Sequence, residues 1–438
     1  MMLTRRVFCA GPAILAARSA VSASVDYDVA IIGAGAAGLA AAHAARAAGL
    51  RFVVVEARSR IGGRTVTDHR FGAPFDGGAT FIHFSDRNPW TKIAEEQGIE
   101  TIPGGWRRGG AREYRDGIRL DPTAPNAWQQ GRARLWELAE AVDFDNDLSF
   151  SRLTASAPDE VRAAATSMSR GAVGEEPDRV SVADYIRLYE GSDRIVPKGY
   201  GTLVSAWGGA LPVTLDTAVT AVDWRGGGVV LTTTKGTLRA RTVVITVPLG
   251  VLKAEKIRFT PVLPLEVQRA FDGLAMGALS KLALHFNGTR LDADPNMHLV
   301  ALPGSQPGMS FEMWPFGSDL VVCWFGADYA RDINRLGEDE AARHMLDRLV
   351  GMVGSEARQA YRGAVRYGWS EDPWSLGSYS YAKPGHARAR DALRRPVGNR
   401  LWFAGEAVAG KASMTVAGAH QTGESAVNSI VSMLRRAG

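Results

Sequence analysis

Short apolar runs closed by glycine or proline recur along the chain, and the first is the sharpest. Residues 29–32 are wholly apolar and run into Gly33-Ala34-Gly35-Ala36-Ala37-Gly38. An alanine-rich stretch at 36–48 follows, then a second apolar run at 52–55 that ends in Glu56. Apolar runs of this length bounded by turn residues predict buried strands, and alanine is the strongest helix former, so the pattern reads strand, tight turn, helix, strand. The same strand signature returns at 243–247, stopped by Pro248, and at 401–404, stopped by Gly405. Residues 213–231 read as short strands and 279–325 as a second strand-rich region. Helical patterns are expected within 127–142 and 180–189, after Gly199-Tyr200-Gly201, and at the close over 418–434. The least periodic part, 154–179, mixes Gly, Pro and charges of both signs and reads as surface loops. There are no internal repeats.

Size and composition narrow this only a little. A length of 438 residues allows two to three domains, and 46% hydrophobic with 22% charged residues is ordinary for a globular chain. The N-terminus changes the meaning of the charge. Residues 1–23 place Thr4-Arg5-Arg6-Val7-Phe8 before a modest apolar run and a small-residue end, the pattern of a twin-arginine export signal, which predicts a periplasmic or exported protein, with a slightly apolar tail on a cytoplasmic protein as the alternative. Its removal takes Arg5, Arg6 and Arg18 and no acid, lowering the formal net charge of +5 by three. No anionic partner and no nucleic-acid surface is implied. Cys9 lies in the leader, so only Cys323 would remain and no intramolecular disulfide is expected. No other segment reaches the ~18 apolar residues of a membrane span. Metal-ligand spacing and a Ser/His/Asp arrangement are both missing from the sequence, and nothing in it sets an oligomeric state.

The opening glycines carry the chemistry. Gly33 permits the tight turn, Gly35 lets backbone approach a pyrophosphate, and Gly38 lets the helix pack against the strand. The N–H groups of the first helical turn, at Ala37, face the phosphates. Glu56 is spaced to accept from a ribose 2′-OH, which argues against a 2′-phosphate. Gly62-Gly63-Arg64 follows, a second glycine pair at which Arg58 and Arg64 can neutralise a diphosphate, with Arg60 left as a solvated turn residue.

This arrangement, a glycine turn followed by E-A-x-x-x-x-G-G-R, resembles the flavin-dependent amine oxidases, and the resemblance makes the cofactor FAD. Four later segments are similar to one branch, the polyamine oxidases and lysine-specific histone demethylases. Residues 76–83, DGGATFIH, resemble its D-L-G-A-x-W-I-H-G motif. The match implies that the backbone of Gly78, Ala79 and Thr80 edges the flavin and that His83 faces the amine. Phe84 replaces the motif glycine and would narrow that edge. The segment TVPLGVLK, at 246–253, implies that the backbone of Val219 lies near the adenine. Residues 277–286 resemble the strand whose lysine, here Lys281, holds a water against flavin N5; His285 on the same face has no motif role.

Residues 367–381 are close to R-W-x-x-D-P-x-x-x-G-S-Y-S-Y, which implies Tyr379 as an aromatic wall. Trp374 is a second candidate beside the flavin, with core packing the alternative for it and for Trp369. At the C-terminus, Glu406 would bind the ribityl or ribose side. Thr415 and Val416 lead into a helix at Gly418 that points its N-terminus at flavin O2. Neither Met414 nor Thr415 is aromatic, and Ala412 stands where related sequences often carry tyrosine, so the aromatic sandwich is expected to be open on one side. No cysteine occurs in this segment, so the FAD is expected to be non-covalent.

The resemblance predicts an α/β fold of two domains. A Rossmann-like FAD-binding domain would be built from 24–88, 199–265 and 395–438. A mixed-sheet and helical substrate-binding domain would be built from 89–198 and 266–394. The implied reaction oxidises a primary or secondary amine, polyamine-like or alkaloid-like, to an imine by hydride transfer to flavin N5, with O2 reduced to H2O2. An L-amino-acid oxidase, which would need an arginine facing the substrate carboxylate, and a dehydrogenase passing electrons to a partner protein are the alternatives.

Overall fold

Two large sheets organise the chain in a computed structural model that describes residues 25–105, 108–123 and 127–437. The expected leader and Cys9 lie outside the described residues. The first sheet runs in the order Val213–Thr214, Phe52–Val55, Tyr27–Ile32, Gly236–Ile245, Val229–Thr233, Val219–Asp223, Arg258–Thr260, with Leu401–Phe403 also paired to Gly236–Ile245. Its central pairs are parallel, setting Val29 opposite both Phe52 and Thr242, and Ile245 opposite Phe403. Parallel strands buried on both faces need apolar side chains throughout, which is why these runs do not alternate. One face carries the helices Ala36–Ala47 and Val416–Ala437 over Val29, Ile31, Val244 and Trp402. These helices approach closely: a Cβ on Gly423 would stand 1.9 Å from the Ala37 carbonyl oxygen.

The second sheet is mostly antiparallel, in the order Tyr361–Tyr367, Leu279–Phe286, Leu320–Gly326, Met309–Met313, His298–Leu302, Ala111–Arg115, Ile118–Arg119. Strand alternation divides Leu279–Phe286 between two faces. Leu282, Leu284 and Phe286 pack with Ala341, Met345 and Leu349 of the Glu338–Val353 helix, whereas Ala283 joins Phe75 and Val322 on the other side. Lys281 shares that second face. The strand therefore holds Lys281 against the 76–80 segment.

Residues 154–179 are not the surface loops expected. Asp159–Met168 is an α-helix that continues into one π-helical turn, Ser169–Val173. Val161, Ala164, Ala165 and Val173 are buried with Leu135, Phe150 and Val182. That apolar spacing was present in the sequence, but small alanines among charges carried little contrast. The closing helix begins at Val416, two residues before the expected start, and the 180–189 pattern contracts to Val182–Ile186. Among the described residues no helix is long and apolar enough to cross a membrane.

Candidate active site

A single cavity of about 380 Å³ touches both sheets, from Ile32 and Glu56 at the ends of the parallel strands to Leu279, Lys281 and Trp324 on the antiparallel one. Its first end is made of bare backbone. Gly33 turns at φ 101°, and a Cβ on Gly38 would stand 1.8 Å from the Gly33 carbonyl oxygen, so only glycine lets the helix start there. The Gly62 N–H donates to Ala34 O at 2.8 Å, and a Cβ on Gly63 would meet Gly35 Cα at 3.2 Å. The two glycine segments thus lie edge to edge and line the cavity together with Ala37.

Glu56 is buried beside them, one oxygen accepting from Ala34 N at 2.7 Å and the other from Arg58 N at 2.9 Å. A carboxylate has about four lone-pair sites, so acceptor capacity remains for a ribose hydroxyl. Thr217, Ala218, Val219 and Val247 complete this end.

The two clamp arginines line the cavity, and each also carries partners inside the protein. Arg58 gives both terminal nitrogens to Asp372 at 2.7 Å and one to Ser375 at 2.9 Å. Its charge is compensated inside the protein, and it pins the 372–375 loop while lining the cavity. Arg64 donates to Ser378 O at 2.7 Å and to Glu406 at 3.2 Å. Glu406 also accepts from the Ser380 N–H and, at 2.8 Å, from its hydroxyl, so this acid braces the 378–380 strand entry while lining the cavity. Trp374 lines the cavity on the pinned loop, with Lys256 Nζ 5.3 Å from its ring centroid. Trp369 is buried and donates to Gly77 O at 3.0 Å, the core-packing alternative.

The second end is built from side chains around Lys281. A Cβ on Gly78 would stand 1.8 Å from Arg64 O, which keeps the 77–80 backbone bare and close. Lys281 donates to Gly78 O at 2.6 Å, to Asp76 O at 3.0 Å and to the Thr80 hydroxyl, and its ammonium lies 3.9 Å from the Trp324 ring centroid. Burial lowers its pKa from 10.5 to about 8, while the Asp76 and Glu312 carboxylates pull the other way. Tyr379 lines the same end and donates to Ala172 O at 2.7 Å; burial pushes its phenol far above the usual range, with Tyr185 and Glu406 adding to the shift. His83 stands half exposed on the cavity wall, its Nδ1 3.0 Å from Asp193.

Thr415 caps the closing helix, accepting from Gly418 N at 3.0 Å, while the Val416 and Ala417 N–H groups find no protein acceptor among the described residues. Ala79 and Met414 line the cavity here too.

Phe84 does not narrow this edge. It turns at φ 40°, is buried, and packs against Ala412 and Ala417, filling space beside the small residue at 412. Sequence reasoning missed Trp324, Phe81 and Ala172. Trp324 pairs directly across from Lys281, and its only sequence signal is strand register. Ala172 sits in the π-helical turn assigned to loop.

The glycine cradle, the buried Glu56 acceptor and the free helix N–H groups fit a dinucleotide at one end and an electron-rich ring edge at the other. A profile of the family described as flavin containing amine oxidoreductase matches residues 36–431. The chain is 28% identical over 439 residues to polyamine oxidase 4 of Oryza sativa subsp. japonica, covering 92% of this chain and 88% of the relative. It is 27% identical over 445 residues to lysine-specific histone demethylase 2 of Homo sapiens, covering 91% of this chain and 53% of that protein. Cyclohexylamine oxidase from Brevibacterium oxydans IH-35A shares the fold, with a TM-score of 0.77 at 24% identity over 94% of this chain and 100% of that one. The chain belongs to the flavin-containing amine oxidoreductases.

Proposed function

We propose that the protein is an oxidase that binds FAD non-covalently and converts a small amine to an imine. Bound FAD supplies a two-electron acceptor for hydride from the carbon alpha to nitrogen; water hydrolyses the imine, and O2 leaves as H2O2. The chain's residues bind, orient and exclude water. The observation that carries this reading is Lys281, a buried ammonium fixed by Gly78 O, Asp76 O and the Thr80 hydroxyl at the cavity wall. A lysine so held, with a pKa of about 8, is able to take up and release a proton near neutral pH at the cavity wall. Tyr379 and Trp324 offer aromatic faces that tolerate the positive charge developing on the substrate. The uncapped N–H groups at Val416 and Ala417 favour negative charge on the ring edge.

An amino-acid substrate is disfavoured by the arginines. Among the described lining residues these are Arg58 and Arg64, and both are committed, to Asp372 and to Glu406 with Ser378. The test is anaerobic bleaching of the flavin by a panel of amines and L-amino acids, followed by a peroxide assay in air. Bleaching by amines with stoichiometric peroxide is expected, and bleaching without peroxide rejects the oxidase. Lys281→Met should slow turnover by more than about tenfold, the scale of a lost proton-transfer group.

A further inference from the structure

We propose that the substrate has one amino group on an apolar body, and that the cavity rejects diamines and polyamines. This rests on the amine-oxidase reading and narrows it. The wall around Lys281 is largely apolar: Phe81, Leu279, Trp324, Tyr379, Met414 and Ala172 line it, with the Thr80 hydroxyl and neighbouring His83 among its polar groups. Among the described residues lining the cavity, the carboxylates are Glu56 and Glu406, both with backbone or side-chain donors already on them.

The other acids nearby are turned to different work. Asp76 accepts from the Thr67 hydroxyl at 2.6 Å and from Tyr200 N at 3.0 Å. Asp193 is tied to His83 and Glu175 to Arg331 and Arg179. Glu312 lines a separate chamber of about 40 Å³ on the far side of Lys281 and Trp324, where it feels Lys281 and Arg108.

A second ammonium inside the cavity would therefore meet the Lys281 cation and find no counter-charge. Burying an ion without a partner is costly, whereas methylene and ring carbons gain from the same walls. The reacting nitrogen escapes this penalty, because hydride leaves the neighbouring carbon while that nitrogen is neutral. Similarity to relatives named as polyamine oxidases therefore does not by itself set the substrate.

The decisive comparison uses amines of matched length. n-Pentylamine and 1,4-diaminobutane have the same number of heavy atoms and differ in the second charge. With the flavin-loaded protein, anaerobic bleaching should favour pentylamine in kcat/KM by about 100-fold or more, the scale set by an unpaired buried charge. Cyclohexylamine should group with pentylamine, and spermidine with the diamine. Thermal shifts with the flavin reduced beforehand, so that nothing turns over, should follow the same order. A diamine bleaching as fast as pentylamine overturns the inference and leaves the amine oxidase standing; bleaching by no amine overturns both. Met414→Asp sets a carboxylate in the wall at φ 69°, a backbone that aspartate tolerates. It should shrink the preference by at least about tenfold, since the diamine then gains a partner. A preference that this variant leaves unchanged rejects charge as its cause.

Discussion

The two ends of the cavity are built from different material. At the nucleotide end the protein offers backbone: Gly33, Gly35 and Gly63 present bare chain, and Glu56 braces the turn from beneath. At the reacting end it offers side chains from distant stretches, with Lys281 and Trp324 from neighbouring strands, Tyr379 from the 378–380 run and Ala172 from a π-helical turn. Backbone sites are specified locally, because close approach demands glycine at fixed spacing. Side-chain sites are specified by tertiary register, which no short motif encodes. Perturbing the first end should cost folding and cofactor together; perturbing the second should cost turnover while flavin stays bound.

The largest effect is expected from Gly38→Ala. Its Cβ would sit 1.8 Å from the Gly33 carbonyl oxygen, so helix and strand must part. Overpacking against rigid backbone should cost about 3 kcal/mol or more. Urea midpoint and flavin-to-protein ratio should fall together, and a variant that purifies with full flavin would break the division between the two ends.

Lys281→Met probes the opposite end and should keep its flavin. In the wild type the folded pKa is about 8 against 10.5, so between these values the folded state binds fewer protons than the unfolded one. Stability from this group therefore rises as pH increases from 8 to 10.5, by about 3 kcal/mol in all, and the full cost of the buried charge is present below pH 8. The methionine variant should outlast the wild type in urea at pH 7.5 and lose that advantage by pH 10. An advantage independent of pH would mean that folding leaves the lysine's pKa where it is in the unfolded chain.

The same division explains what the sequence disclosed. The strand–turn–helix at 27–47, the register of Phe52–Val55 and the strand at Leu401–Phe403 were legible, because apolar runs and glycines act over a few residues. Lys281 was legible only by resemblance; by itself it is one lysine on a strand. Trp324 was not legible, since nothing local says that Leu320–Gly326 pairs with Leu279–Phe286 so as to set it over that ammonium. The partner of Arg58 was hidden for a similar reason. Asp372 is 314 residues away, and nothing beside the glycine pair announces that acid. Phe84 reversed for a packing reason, its ring filling space beside Ala412 rather than facing the cavity.

Acid should loosen the nucleotide end more than the reacting end. His420, on the closing helix, is buried between Trp90 and Trp207, at 5.5 and 5.2 Å between ring centroids. Burial, with His43 adding repulsion, lowers its pKa from 6.5 to about 4. The folded state binds fewer protons between these values, so this contribution to stability is complete above pH 6.5 and is lost as pH falls towards 4. The loss is about 3 kcal/mol. His420→Leu, neutral at every pH, should flatten the slope of urea midpoint between pH 6.5 and 4. An unchanged slope would place the acid sensitivity elsewhere.

The smallest expected change is the most informative about the reacting end. Tyr379 reaches it from the 378–380 run and is held by one hydrogen bond to Ala172 O, 2.7 Å away in the Ser169–Val173 turn. Tyr379→Phe keeps the aromatic wall and removes only that tether, so stability should fall by about 1 kcal/mol. Flavin content and the bleached spectrum should match the wild type. If the ring serves as a passive wall, kcat and KM should both stay within about twofold, because its apolar contacts survive. If the tether sets the ring's angle to the substrate, kcat should fall severalfold with KM nearly constant, since misorientation is felt in the transition state. The second outcome is expected. A carbonyl held in a π-helical turn is a fixed anchor, and a ring that needed no fixed angle would have no use for one. A small loss in kcat at constant KM would therefore show that side chains from separate stretches make the reacting end, with the 169–173 turn among them.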